Sequence, residues 1–468
     1  MHRWGAAAFV AASLVGGVLL PAVPAAAVHG AVPGDFNGDG YRDAVLPAPG
    51  ANVAGKEGAG AVVVLYGSAS GLSTSRRRTI TQNTAGVPGV SEAGDAFGSA
   101  TATADLNRDG YADLVVGTPY EDTSKGTDSG AVTVLWGSRS GLTSGTDLPS
   151  PSSSPEHYGK DVAALGLGAG AKTRVVVAGT DATVGFGGPF TRTGSFGSAV
   201  YNDDTASPMS VALGDLNGDG VPDVASATDR LSGLSGGEVY TNPAYGYALK
   251  GNGLILASGD INGDGYADLV AGDPDEPEKA GVDGALGGRV LVWYGSAAGV
   301  TTTTTPVQIT QNTAGVPGAS EKGDDFGGSL AVADLDRDGL ADIVIGSPFE
   351  SLAKGRAGQV TVVPGRRSGA LGTGSYSFSQ DTAGVPGASE TDDFFGTTVS
   401  VGDIDKDGRP ELFVGAAGEN NSTGAVWVFP GGSARPTATG SRVITPHAVG
   451  LTQQWGTMLG GDGLLSVI

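Results

Sequence analysis

One nine-residue string recurs six times in this chain of 468 residues. It reads DFNGDGYRD from Asp35, DLNRDGYAD from Asp105, DLNGDGVPD from Asp215, DINGDGYAD from Asp260, DLDRDGLAD from Asp334 and DIDKDGRPE from Asp403. The copies align without a gap, with oxygen-bearing side chains at positions 1, 3, 5 and 9 and glycine at position 6. Self-similarity of this kind marks a repeat architecture, in which one small unit cannot bury its own apolar face and must stack on its neighbours.

The flanking residues define the unit. Alternating stretches such as FGSATATADL (97–106) and FGGSLAVADL (326–335) lead into the acidic string, and apolar runs closed by glycine leave it: LVVGTP (114–119), IVIGSP (343–348), LFVGAA (412–417). A third apolar run follows, GAVVVLYGS from Gly60, GAVTVLWGS from Gly130, GRVLVWYGS from Gly288 and GAVWVFPGG from Gly424. RRTITQ (77–82), TPVQITQ (305–311) and SYSFSQ (375–380) supply a fourth, and each runs into the phrase TAGVPG at Thr84, Thr313 or Thr382. Period-two alternation, β-branched residues and glycine punctuation predict strands. Four strands per unit predict the blades of a β-propeller.

The stretch YGKDVAALGLGAGAKTRVVVAGT (158–180) keeps the strand–turn–strand pattern without the acids, and reads as a blade lacking a metal loop. Units then begin near residues 30, 97, 158, 209, 254, 326 and 395. The expectation is all-β: a seven-bladed propeller of four-stranded antiparallel blades, filling residues 28–468 as one domain. The tail WGTMLGGDGLLSVI (455–468) resembles an eighth opening strand. It is expected to pair with the first blade and close the ring, leaving no free sheet edge.

Short acids on alternate positions of a tight loop suit a hard cation. Calcium takes about six to eight oxygens and mixes side chains with a backbone carbonyl. The expected Ca²⁺ ligands are Asp35, Asn37, Asp39 and Asp43 with the carbonyl of Tyr41, then Asp105, Asn107, Asp109 and Asp113 with Tyr111. Asp215, Asn217, Asp219 and Asp223 with Val221 form the third set, and Asp260, Asn262, Asp264 and Asp268 with Tyr266 the fourth. Asp334, Asp336, Asp338 and Asp342 with Leu340, and Asp403, Asp405, Asp407 and Glu411 with Arg409, complete up to six sites. A helix–loop–helix calcium site needs a glutamate at position 12. Here that position holds Leu46, Val116, Ser226, Ala271, Ile345 and Val414, so the ion must close a β-hairpin.

The net charge of −22 argues against nucleic acid or an anionic membrane as partner. Twenty of the 49 acids lie in the loops, and the other 29 nearly match the 27 basic residues. Unfilled loops would repel themselves, and a divalent ion relieves this. Arg3, the apolar run Ala6–Leu20 and Ala25-Ala26-Ala27 read as an export signal over residues 1–27, which predicts a secreted protein. No later apolar stretch is long enough for membrane insertion. The absence of cysteine excludes disulfides and thiolate chemistry.

Phe97-Gly98 before a loop and Gly117-Thr118-Pro119 after it resemble the FG-GAP repeat, the unit of the propeller in integrin α chains and of many exported bacterial proteins. Phe326-Gly327 with Gly346-Ser347-Pro348 matches as well, whereas Phe395-Gly396 is followed by Gly415-Ala416-Ala417 without the proline. The resemblance implies a seven-bladed propeller with calcium in the hairpin between first and second strands. No stalk or membrane segment accompanies it, so a free-standing module is expected rather than half of a receptor.

No catalytic residues are assigned. His29, His157 and His447 stand outside any repeated motif. Gly233-Leu234-Ser235-Gly236-Gly237 fits the nucleophile-elbow pattern but lacks its flanking strand and helix. The expected function is a secreted calcium-binding module for a protein or glycan, with a hydrolase or lyase at the propeller mouth as the alternative. The binding residues should sit on the longer loops at the end opposite the hairpins: Tyr120, Glu121, Asp275, Glu276, Phe349 and Glu350.

Overall fold

The computed structural model describes residues 32–167, 172–203, 207–231, 235–242, 247–277 and 281–463. The expected signal at 1–27 lies outside them.

Seven four-stranded antiparallel sheets form a seven-bladed β-propeller, and in each sheet the strands are hydrogen-bonded in chain order. Blade 1 comprises Val32–Gly34, Asp43–Ala48, Ala61–Leu65 and Arg77–Ile80; blade 2 comprises Ala100–Ala104, Asp113–Thr118, Ala131–Trp136 and Ser144–Asp147. Blades 3 to 7 open with Asp161–Gly166, Pro208–Gly214, Ile255–Gly259, Ser329–Ala333 and Phe395–Gly402. These opening strands touch one another in order around the ring, and blade 7 returns to blade 1.

The sequence of each strand follows from its place. The second and third strands are flanked by blades on both faces, so Asp43–Ala48 and Ala61–Leu65 are buried along their whole length. Strands buried on both faces read as continuous apolar runs rather than as alternation. Fourth strands lie at the rim, and Arg77–Ile80 and Val307–Ile309 each bury only their final isoleucine. The core is therefore a set of inter-blade clusters. One joins Val62 and Val64 of blade 1 to Phe97, Leu114 and Val116 of blade 2.

The Phe-Gly pairs are the joints of the ring. Phe97, Phe326 and Phe395 are fully buried, and their N–H groups donate to the carbonyls of Ala59, Gly287 and Ala357 in the preceding blade. The approach is too close for a side chain: a Cβ at Gly346 would lie 2.1 Å from the carbonyl oxygen of Gly396 in the next blade. Tyr158 takes the same place before blade 3, with its N–H on the Ser129 carbonyl.

The C-terminal tail departs from expectation. Among the described residues, 455–463 contribute no strand; they run as turns, because blade 1 draws its first strand from its own residues 32–34. Leu459-Gly460 instead takes the Phe-Gly place. Leu459 N–H donates to the Thr423 carbonyl of blade 7, and Gly460 N–H donates to the Pro47 carbonyl of blade 1 at 2.8 Å. The latter bond is the counterpart of Gly98 N–H to the Gly117 carbonyl in blade 2. Residues 464–468, where further pairing was expected, lie outside the described residues.

Candidate metal centres

All six acidic strings form the hairpin between first and second strands of a blade. In blade 3 the first strand ends at Gly166 and the second begins at Thr173, with no acidic string in the sequence between them. Each loop winds by side-chain-to-backbone bonds. In the fourth, Asp260 accepts from Gly263, Asp264 and Gly265, Asn262 Oδ1 accepts from Asp264, and Asp264 Oδ1 accepts from Tyr266. Short acids are favoured here because they can close such turns on their own backbone.

Position 9 has a distinct task. Asp43, Asp113, Asp268 and Asp342 are buried, and each accepts one backbone N–H from position 2 and one from a glycine after the third strand. For Asp113 these donors are Leu106 and Gly137, both at 2.9 Å. Glu411 does the same with Ile404 and Gly431. Asp223 accepts from Leu216 and from the Asn242 side chain. Burial pushes the carboxyls of Asp43, Asp113, Asp268, Asp342 and Glu411 up to about 7; the backbone donors oppose this and the neighbouring acids add to it. A divalent cation would reverse that balance.

The residues fit a hard cation. Carboxylate oxygens of Asp334, Asp336 and Asp338 lie within 4.8 Å of one another, as do those of Asp403, Asp405 and Asp407. Asp215 Oδ1 and Asp403 Oδ1 are buried at position 1 with no hydrogen-bond partner. The loops are not all alike. Arg192 of blade 3 reaches over to Asp109 Oδ2 at 2.6 Å, a partner that the sequence reading missed.

At the opposite end lie the connections between second and third strands and those between blades. Of the six residues expected to contact a ligand, Tyr120 is 45% exposed and packs edge-on to His157. The others have intramolecular partners. Asp275 pairs with Arg230, and Glu276 Oε1 accepts the N–H groups of Gly287 and Gly323. Phe349 packs against Phe394 with Arg356 over both rings.

Glu121 and Glu350 belong to a repeated arrangement. Gln82 Nε2 donates to Glu121 Oε2 at 2.5 Å, Gln311 Nε2 to Glu350 Oε2 at 2.5 Å, and Gln380 Nε2 to Glu419 Oε2 at 2.7 Å. Glu419 was not among the expected residues. The signal that finds it is spacing: each glutamine stands two residues before TAGVPG and 39 residues before its glutamate.

The elbow-like serine carries no accessible hydroxyl. Ser235 is fully buried, donates to Asp273 and accepts from Asn252, within a network centred on buried Arg289. His157 is held by Thr180 at 2.9 Å.

The fold and the site together define a β-propeller whose blades carry acidic hairpin loops. Residues 27–65, 97–135, 207–242, 252–293, 326–363 and 395–429 match the FG-GAP repeat family. The chain is an FG-GAP repeat protein, similar to the integrin α β-propeller. Phosphatidylinositol-glycan-specific phospholipase D of Bos taurus is 39% identical over 107 residues, 23% of this chain and 13% of that protein. Integrin alpha-4 of Xenopus laevis is 32% identical over 115 residues (24% and 10%), and integrin alpha-7 of Homo sapiens 32% over 138 (29% and 11%). The matches therefore span little more than a tenth of those relatives' length. Among solved structures, the exotype rhamnogalacturonan lyase YesX aligns at TM-score 0.42 and 12% identity, covering 88% of this chain and 73% of that one.

Proposed function

We propose that this chain is a secreted binding module, stiffened by Ca²⁺ in its hairpin loops, that takes a protein or glycan on the opposite face. The observation that carries the reading is the division of labour between the two ends. One end repeats an acidic hairpin loop on a single template. The other presents loops that differ in length and sequence around a shared glutamate in three of them, 119–129, 273–277 with 281–287, 348–357 and 418–424, with Tyr120 exposed among them. Calcium would be held by positions 1, 3 and 5 of each loop with the position 7 carbonyl, and position 9 would brace the cage and complete its charge. Its chemistry there is charge neutralisation: it ties first strand to second. The leader-like residues 1–27 support export, and among the described residues no helix is long and apolar enough to cross a membrane.

A glycan and surface-protein array, probed with and without calcium, tests the reading. Calcium-dependent retention of one ligand class supports it. Screening the same protein on ester, phosphodiester and polysaccharide substrates provides the opposing arm, and turnover of any of them replaces the module with a hydrolase or lyase.

A further inference from the structure

Three blade seams carry one set of oxygens that the hairpin loops do not use. Between blades 1 and 2 stand Gln82, Glu121 and Asp95; between 5 and 6, Gln311, Glu350 and Asp324; between 6 and 7, Gln380, Glu419 and Asp393. In each, the glutamine follows a fourth strand and the glutamate opens the next blade's longer loop. The aspartate sits two residues before the Phe-Gly joint in the first and second sets as in the third. All three aspartates are about 2% exposed, and one oxygen of each is fixed by the N–H of Glu92, Glu321 or Glu390. We infer that each of these seams is a binding site for a hard divalent cation of the calcium class, on the face opposite the acidic hairpins.

The donor inventory carries the inference. In each seam the glutamine head meets the glutamate, the aspartate's charge acts on that glutamate, and the charges that act on Glu121, Glu350 and Glu419 are all negative. Buried acids are ordinarily paired with a base or a metal. The glutamine supplies an independent sign. Its Nε2 donates to the glutamate, while Oε1 of the same head, in Gln82, Gln311 and Gln380, is buried with no hydrogen-bond partner. These glutamines are 5%, 1% and 2% exposed. Buried amide oxygens are normally satisfied, and the same oxygen is orphaned three times over. The hydroxyls of Ser91, Ser320 and Ser389, each next to the anchoring Glu92, Glu321 or Glu390, are unpartnered as well. The TAGVPG phrase helps to seat the head: a Cβ at Gly89 would lie 2.7 Å from Gln82 Nε2. Mixed carboxylate and amide oxygens with no sulfur or imidazole select calcium or magnesium over transition metals. Bound there, the cation ties the rim of one blade to the loop of the next.

Equilibrium dialysis of the full chain against radioactive Ca²⁺ at neutral pH tests this. The triple variant E121Q/E350Q/E419Q should bind one equivalent fewer per seam than the parent, and each single variant one fewer. The comparison is a difference, so it is independent of how many hairpins fill. Unchanged stoichiometry in folded variants overturns the proposal and leaves a proton, not a cation, on each glutamate. A second variant guards against misfolding: Q311E places a third carboxylate where the unpartnered oxygen stands. A cation site should then tighten on the order of tenfold, since ligand charge tunes calcium affinity. A Q311E chain whose calcium binding is unchanged or weakened overturns the proposal equally.

Discussion

Within one acidic loop, neighbouring carboxylates have different tasks, and substitutions should separate them. Asp264 is exposed at position 5 and accepts only local N–H groups, whereas Asp268 at position 9 is fully buried and accepts from Ile261 and Gly295. Asp264→Ala should abolish one calcium site while leaving metal-free stability nearly unchanged. Asp268→Ala strands two buried donors at about 1–3 kcal/mol each, with or without calcium. Denaturant unfolding of both variants in chelator and in calcium checks the contrast. Equal losses for the two in chelator would contradict it.

Blade seams should respond to pH through their glutamates. Burial pushes Glu121, Glu350 and Glu419 up to about 7, with nearby acids adding to the rise and the glutamine donor opposing it. A carboxyl whose folded value exceeds its unfolded one binds more protons when folded. Its stabilising contribution is complete below the unfolded value near 4.5 and is lost as pH climbs through about 7. The metal-free protein should therefore melt at a lower temperature at pH 7.5 than at pH 5.5. Because cations require the ionised carboxylates, the increment from added calcium should grow over the same interval. Calorimetric scans across that range, before and after calcium addition, measure both trends, and a metal-free protein that gains stability toward pH 7.5 would refute the first.

For the ring as a whole, calcium would fasten the blades independently of the tail. Extracellular calcium modules bind at about 10⁻⁴ to 10⁻³ M. At a hundredfold excess over its dissociation constant, each filled site would stabilise the fold by about 2.7 kcal/mol. Chelation should lower the unfolding temperature, and calcium should restore it; a melting curve indifferent to chelator would remove the stiffening role. The tail acts through packing. Leu459 is fully buried in the cluster that joins blade 7 to blade 1, beside Leu46 and Phe413. Leu459→Ala should cost about 2–5 kcal/mol, measured by denaturant unfolding, without changing calcium stoichiometry.

What the sequence decided by itself is whatever fits inside one blade. The string from Asp260 to Asp268 holds all its expected ligands within nine residues, so spacing alone declares the loop, and the apolar runs around it declare the strands. Blade 3 was legible without its acids because strand periodicity survives the loss of a loop. Relations between blades were left to the tertiary structure. Gln82 and Glu121 are 39 residues apart, and Arg192 and Asp109 are 83 apart. Leu459-Gly460 fills a joint at the far end of the chain from Pro47, where the sequence pattern suggested only another strand. Such contacts depend on how two twisted sheets face one another around a closed ring, and no local pattern of alternation encodes that packing.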